Sequence, residues 1–317
     1  MRKLLAALLL ALLPLYAPAQ EFPPSQVRIV VPFTAGGGTD VITRLVAQQL
    51  SDMWKVPVII DNRVGAGGVI GSKWVADQAP DGRTFLAVAS AFGVRLAIDR
   101  TVPYDVAKDF SGVGQMARSP SFLVVSPSHN FKSLQDMIAY AKKQPQGIHY
   151  ASAGVGSTAH MHAAAVAHLA GIKAEHVPHR GTPEAVNDAM VGRVLYAFAP
   201  GPNAIPLAKS GKLQILATTS AGGAKFMQGV PSLEQAGVPY EGDDWFGVFA
   251  PAATAAAIRE RFARDMATVL DMPAVKERLA SLGATPAFMA PQAWDKFARE
   301  YVVSMRKLGD AVGIKPQ

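Results

Sequence analysis

The chain has 317 residues, no cysteine, and a formal charge of +7 from 31 Lys and Arg against 24 Asp and Glu. Half of it is apolar and 17% is charged, which excludes a disordered or disulfide-stapled protein and leaves room for two domains. Its basic residues are dispersed, with no run of five and no interleaved aromatics, which argues against nucleic acid and for a diffuse field that attracts small anions.

Arg2 and Lys3 precede an apolar run from Leu4 to Leu15, and Ala17-Pro18-Ala19 places small residues at the −3 and −1 positions. This pattern predicts a signal peptide over residues 1–19, cut between Ala19 and Gln20. The run is shorter than the roughly 20 residues that span a bilayer, and without cysteine there is no lipobox, so a soluble exported protein is expected. Loss of Arg2 and Lys3 lowers the formal charge from +7 to about +5.

Val27-Arg-Ile-Val-Val-Pro32 then reads as a buried strand that Pro32 ends, since proline has no N–H for the ladder. Phe33-Thr-Ala-Gly-Gly-Gly-Thr-Asp40 reads as a glycine-rich turn opening a helix, with Thr39 or Asp40 as N-cap. Val41, Ile42, Leu45, Val46 and Leu50 recur at helical spacing, which leaves Arg44 and Gln48 outside. Three glycines without a Cβ let backbone N–H groups converge at a helix N-terminus, a site for a carboxylate or phosphate. Strands at 56–60 and 84–90, with a helix from 69 to 78 between them, complete a βαβαβ unit. Ligands are expected at the carboxyl ends of its strands, near Ser90 and Ala91.

A second α/β unit comes next. Strands are predicted at 122–126, 149–152, 174–178, 194–198 and 213–219, and helices after Ser133, from 160 to 169 and from 182 to 190, while Pro200 and Pro202 are expected to break regular structure beyond 198. Ala153-Gly-Val-Gly-Ser-Thr158 repeats the opening device between strand and helix. A strand over 245–249 and helices over 255–270, 274–282 and 291–308 close the chain. The reading is α/β, with one lobe from residues 20–121 and 226–317 and another from 122–225, facing each other across a cleft. No heptads are present, so a monomer is expected.

Gly154-x-Gly156-x-x-Ala159, with Glu175 downstream, matches the dinucleotide fingerprint in letters. Glu175 begins the next apolar stretch instead of ending it, and an exported protein has no soluble nicotinamide cofactor to bind, so no cofactor is expected. His160 and His162 are two apart on a helix and diverge, and no HExxH or Cys/His spacing exists, so no metal is expected. There is no Gly-x-Ser-x-Gly. Asp243 and Asp244 are adjacent and read as turn residues, and Trp245 and Phe246 as core or hinge packing.

The order and spacing of Val30-Val-Pro-Phe-Thr-Ala-Gly-Gly-Gly-Thr-Asp40, Asp61-Asn-Arg-Val-Gly-Ala-Gly-Gly68, Pro80-Asp-Gly82, Tyr150-Ala-Ser-Ala-Gly-Val-Gly-Ser157, His176-Val-Pro178 with Gly181, and Trp245-Phe-Gly-Val-Phe-Ala-Pro251 resembles the Bug-type periplasmic solute-binding proteins of tripartite tricarboxylate transporters. The resemblance implies a Venus flytrap of two mainly parallel α/β lobes with flanking helices. It also implies a periplasmic location, a di- or tricarboxylate, amino acid or aromatic acid as ligand, and a tripartite permease or a sensor as partner. Where relatives carry an acidic residue after Gly-Gln-Val, this chain has Leu195 and then Ala199-Pro200, and His179-Arg180-Gly181 replaces Tyr-Lys-Gly. The expected ligand contacts are Phe33, Thr34, Ala35, Gly36, Gly37, Gly38, Thr39, Asp40, Ser90 and Ala91 from one lobe. From the other they are Ser152, Gly154, Gly156, Ser157, Thr158, His160, Arg180 and Ala199. No reaction is expected, and the competing reading is an exported hydrolase or isomerase using Ser157 and a cleft histidine.

Overall fold

The computed structural model describes residues 22–311 and Ile314, so the expected signal peptide lies outside the described residues. Strand β1 (Val27–Val31) has Val27, Ile29, Val30 and Val31 almost fully buried, as a strand covered on both faces requires. It stops before Pro32 and lies between β2 (Val58–Asn62) and β3 (Thr84–Ala89), parallel to both. Helix α1 (Gly38–Trp54) buries Ile42, Val46 and Leu50 and exposes Arg44 and Gln48. Gly37 is its N-cap, not Thr39 or Asp40; Asp40 sits in the first turn and reaches back to accept from Gly36 N at 2.9 Å. Helix α2 (Val69–Ala76) precedes β3, and α3 (Ala91–Ile98) follows it. Sequence periodicity did not reveal α3 because Gly93 sits inside it. A Cβ at Gly93 would come 2.6 Å from the ring of Tyr301, so the glycine is there for helix-to-helix approach.

Strand β4 (Phe110–Val125) belongs to both lobes. Phe110 to Pro120 pair with β9 (Asp243–Pro251), and Ser121 to Val125 pair with β7 (Tyr196–Pro200) and β8 (Gln214–Thr218), all antiparallel. The second lobe adds α4 (Leu134–Lys142), whose cap Ser133 forms a capping box with Asp136, then β5 (Ile148–Ser152), α5 (Thr158–Ala170), β6 (Ala174–Pro178) and α6 (Thr182–Met190). Strand β5 lies between β6 and β7 and is parallel to both. Helix α7 (Gly201–Lys209) occupies the stretch where prolines were expected to break the chain. Pro200 caps it and Pro202 falls in the first turn, where an N–H has no helical acceptor to lose.

Leu233 and Val238 pack into the core of the second lobe, and the chain returns along β9, later than the crossing expected near residue 225. Helices α8 (Ala256–Asp271) and α9 (Pro273–Ser281), strand β10 (Thr285–Met289) on β4, and α10 (Pro291–Ala311) complete the first lobe. The path order is β2-β1-β3-β9-β4-β7-β5-β6. Every antiparallel pair among the described strands includes β4 or β9, so parallel ladders on each side are joined into mixed sheets; β4 does the joining because it pairs in both lobes, with β9 and β10 in the first and with β7 and β8 in the second. Val94, Ala97 and Ile98 of α3 meet Met161 of α5 in a small apolar seam between the lobes. Among the described residues no helix is long and apolar enough to cross a membrane.

Candidate ligand cleft

A cleft opens between the lobes where strands end and helices begin. Gly37, Gly38 and Thr39 line it from the start of α1, Ala91 from α3, Ser157, Thr158 and Ala159 from α5, Thr182 from α6, and Pro200 from the cap of α7. Five helix N-termini thus face one space. Each carries roughly half a positive charge from unpaired N–H groups. Among the described residues no Lys or Arg lines the cleft, so its attraction for an anion comes from backbone dipoles. Phe33, Ala89, Ala153 and Phe246 supply apolar wall, while Thr34, Ser121 and Asp244 add polar atoms.

The first nest is held by Asp40. Its Oδ2 accepts from Gly36 N and from Arg44 Nε, each at 2.9 Å, and its Oδ1 accepts from Asn62 Nδ2, which also donates to Phe33 O at 3.0 Å. Burial pushes the Asp40 carboxyl up, but the hydrogen bonds from Arg44, Gly36 and Asn62 outweigh it and hold the group below the ordinary carboxylate range. Gly36 adopts φ +79°, a left-handed conformation that glycine reaches without strain. In the second nest Ser157 Oγ accepts from His160 N at 3.1 Å, which caps α5.

The lobes touch around the cleft. Asn203 Nδ2 donates to Gly36 O at 3.0 Å, Arg95 Nη1 donates to Val155 O at 2.8 Å, and Ser90 Oγ lies 2.7 Å from Thr158 Oγ1. Glycine is required at Gly181, where a Cβ would lie 2.0 Å from Thr34 Oγ1 across the gap. Thr34 Oγ1 itself has no hydrogen-bond partner among the described residues.

Of the residues expected to contact ligand, Phe33, Thr34, Gly37, Gly38, Thr39, Ala91, Ser157 and Thr158 line the cleft. Ala35 and Gly36 are exposed on its rim, and Asp40 supports the loop from behind. Ser90 is fully buried beneath the wall and donates to Asp244 Oδ1 at 2.5 Å. Ser152 turns inward to His176 Nε2 at 2.6 Å, and Gly154 and Gly156 shape the loop without facing the space. Arg180 is exposed, and Ala199 is buried in β7 with its neighbour Pro200 taking the cleft position. His160 also points away from the space: its ring stacks on His176 with centroids 3.9 Å apart and accepts at Nδ1 from Gly156 N at 3.4 Å. Burial lowers His160 to about 4, and burial together with the neighbouring His160 and His179 lowers His176 to about 3, so both rings are neutral near pH 7.

Ala89, Ser121, Ala153, Ala159, Thr182, Pro200, Asp244 and Phe246 are the lining residues that sequence reasoning did not place at the site. The rule that ligands sit at strand carboxyl ends could have found Ala153, Thr182 and Pro200, which lie at or just beyond the ends of β5, β6 and β7. Asp244 was expected in a turn, yet it is buried in β9 beside the β4 crossing, where Ser90 and Ser121 donate to its two oxygens. That pairing is visible only in three dimensions. Trp245, next along the strand, points away and packs edge-on against Trp294.

The family model described as the tripartite tricarboxylate transporter family receptor matches residues 42–314, most of the chain. The protein belongs to that family. Among solved structures, Rpa4515 of Rhodopseudomonas palustris with adipate superposes with a TM-score of 0.90 at 32% identity, covering 94% of this chain and 100% of that one. MatC of the same organism with bound malate superposes at 0.85 with 27% identity, covering 90% and 99%. The periplasmic binding protein BugD superposes at 0.89 with 26% identity, covering 93% and 100%. The fold is therefore that of a two-lobed Bug-type solute-binding protein, a receptor and not an enzyme. Ser157 Oγ accepts from His160 N as the cap of α5, and the His160 ring accepts from Gly156 N.

Proposed function

We propose that the protein captures a small carboxylate between its two lobes and hands it to the membrane components of a tripartite transporter or to a sensor. The observation that carries this reading is the convergence, among the described residues, of five helix N-termini on one cleft whose lining contains no Lys or Arg. Backbone N–H groups at Gly38 and Thr39 serve one carboxylate oxygen pair, and those at Thr158 and Ala159 close on the ligand from the other lobe. Phe33 and Phe246 exclude water from the carbon skeleton. The malate bound to MatC and the adipate with Rpa4515, two structures this chain resembles, support a ligand of this size and charge. The basic, apolar leader with Ala17-Pro18-Ala19 supports export to the periplasm with cleavage after Ala19.

Thermal-shift screening of the purified protein against mono-, di- and tricarboxylates tests this. A true ligand at a hundredfold excess over Kd stabilises by about 2.7 kcal/mol, a shift of several degrees. Gly37→Asp, which places a carboxylate in the first nest, abolishes that shift. A screen in which no carboxylate raises the Tm, or a Gly37→Asp variant that binds as the parent does, overturns the reading.

A further inference from the structure

Within the cleft one side chain runs against a plain anion trap. Asp244 is buried to 5% exposure and lines the same cavity as the N–H nests. Its Oδ1 accepts from Ser90 Oγ at 2.5 Å and its Oδ2 accepts from Ser121 Oγ. Ser90 Oγ in turn lies 2.7 Å from Thr158 Oγ1 at the start of α5, so Asp244, Ser90 and Thr158 form a chain from the crossing strand to the opposite jaw. A carboxylate has about four acceptor positions. The two serines use one on each oxygen, which leaves about two for another donor on a residue that lines the cavity.

Beside this group a second carboxylate is repelled unless a donor lies between them, because repulsion between like charges grows as the surroundings become less polar. No Lys, Arg or His lines the cavity among the described residues, so the protein itself supplies no cation to separate the two. The ligand has to bring the donor.

We infer that Asp244 is a specificity-determining residue that selects carboxylates bearing an ammonium group, and secondarily a hydroxyl, on the carbon next to the carboxylate. This rests on the carboxylate-receptor reading and narrows it to amino and hydroxy acids. In the closed form the ligand carboxylate sits on the N–H groups of the helix starts while its donor reaches Asp244. Buried polar recognition of this kind discriminates strongly, since a ligand without the donor leaves the buried acceptor unpaired. Binding and closure are then linked, because the group that receives the donor also holds Ser90 against Thr158.

L-aspartate, L-malate and succinate share one carbon skeleton and differ only in NH3+, OH or H at one carbon; 2-aminoadipate, 2-hydroxyadipate and adipate repeat the series at greater length. Affinity for both series is measured by titration calorimetry at pH 7.5 on the whole protein, Asp244→Asn and Asp244→Ser. The asparagine keeps one acceptor for a serine and offers N–H to the other, so its hydrogen bonds to Ser90 and Ser121 can be retained. The parent is expected to bind the amino form of at least one series tenfold or more tighter than the unsubstituted diacid, with the hydroxy form between. In both variants that preference falls below threefold and the unsubstituted diacid binds at least as well as in the parent.

A parent that binds the unsubstituted diacid as tightly as its amino form overturns the selectivity and leaves the receptor reading intact. Folded variants that lose both ligands in equal proportion overturn it too, since Asp244 is then only a brace. Should neither variant fold, the parent's own ranking of the two series decides the matter. If no carboxylate of any kind binds the parent, the receptor reading itself is what has failed.

Discussion

Replacing Gly38 by alanine should separate closing from folding. Gly38 is the first residue of α1, and alanine is preferred to glycine within a helix by up to about 1 kcal/mol. Its φ is not positive, so the first lobe loses nothing by gaining a Cβ there. Across the cleft the situation reverses. The added Cβ would stand 2.8 Å from Pro200 Cγ and 3.4 Å from Asn203 Oδ1, both on the other lobe. Carbon atoms rest about 3.5–4.0 Å apart, so the jaws must part by roughly 1 Å at this point, and Pro200 is a ring that cannot swing aside. Overpacking of this size costs about 1–3 kcal/mol. The overlap exists only when the lobes are closed, so the cost falls on ligand binding: at 1.4 kcal/mol per tenfold, affinity should drop about 5- to 150-fold. Calorimetric titration of the best carboxylate measures the loss, and a thermal melt without ligand measures the fold. The melt should be unchanged or raised. Pro200→Ala, which deletes the clashing Cγ, should restore affinity in the double variant through a coupling energy of opposite sign. A Kd for Gly38→Ala equal to that of the parent would refute the argument that this contact belongs to the closed, ligand-holding form.

Two further outcomes are expected from the electrostatics. His160, with its pKa lowered to about 4 from 6.5, contributes stability that is fully present above pH 6.5 and is lost as the pH falls towards 4, because the unfolded chain takes up the proton first. Between pH 6.5 and 5 this one site accounts for up to about 2 kcal/mol, read as a falling Tm that His160→Gln makes flatter; an identical pH slope in that variant would remove the histidine pair from the account. Asp40→Asn should lower the Tm by several degrees at neutral pH, since it removes charge from an acceptor of three hydrogen bonds worth about 1.5–3 kcal/mol each when ionic. It should also weaken ligand binding by loosening the loop from Phe33 to Gly38; a Tm and Kd both equal to the parent's would show that the loop keeps its shape without the charge.

Much of the fold is legible in the residues. The βαβαβ start, the glycine loop and the repeat of strand, small-residue turn and helix at Ser152 to Ala170 obey local rules. Periodicity depends on i, i+4 and i+2 neighbours, and a glycine turn depends on its own φ values. Local rules also misled. Gly93 hid α3 because its reason, the ring of Tyr301, is more than two hundred positions away in the chain, and the prolines around 200 concealed α7 although they suit a helix start.

At the site the division is sharper. The sequence by itself determined the two nests, Gly37 to Thr39 and Ser157 to Thr158, because an anion site made of backbone N–H groups needs only a turn and a helix start. Tertiary structure alone decided what surrounds them. It withdrew His160 into a stack with His176, sent Arg180 to the surface, and brought Asp244 from the returning strand to Ser90 and Ser121, across 154 and 123 positions. Side-chain hydrogen bonds between distant segments carry no period and no motif, so nothing along the chain announces them; they arise when β4 and β9 cross between the lobes and place their residues under the cleft.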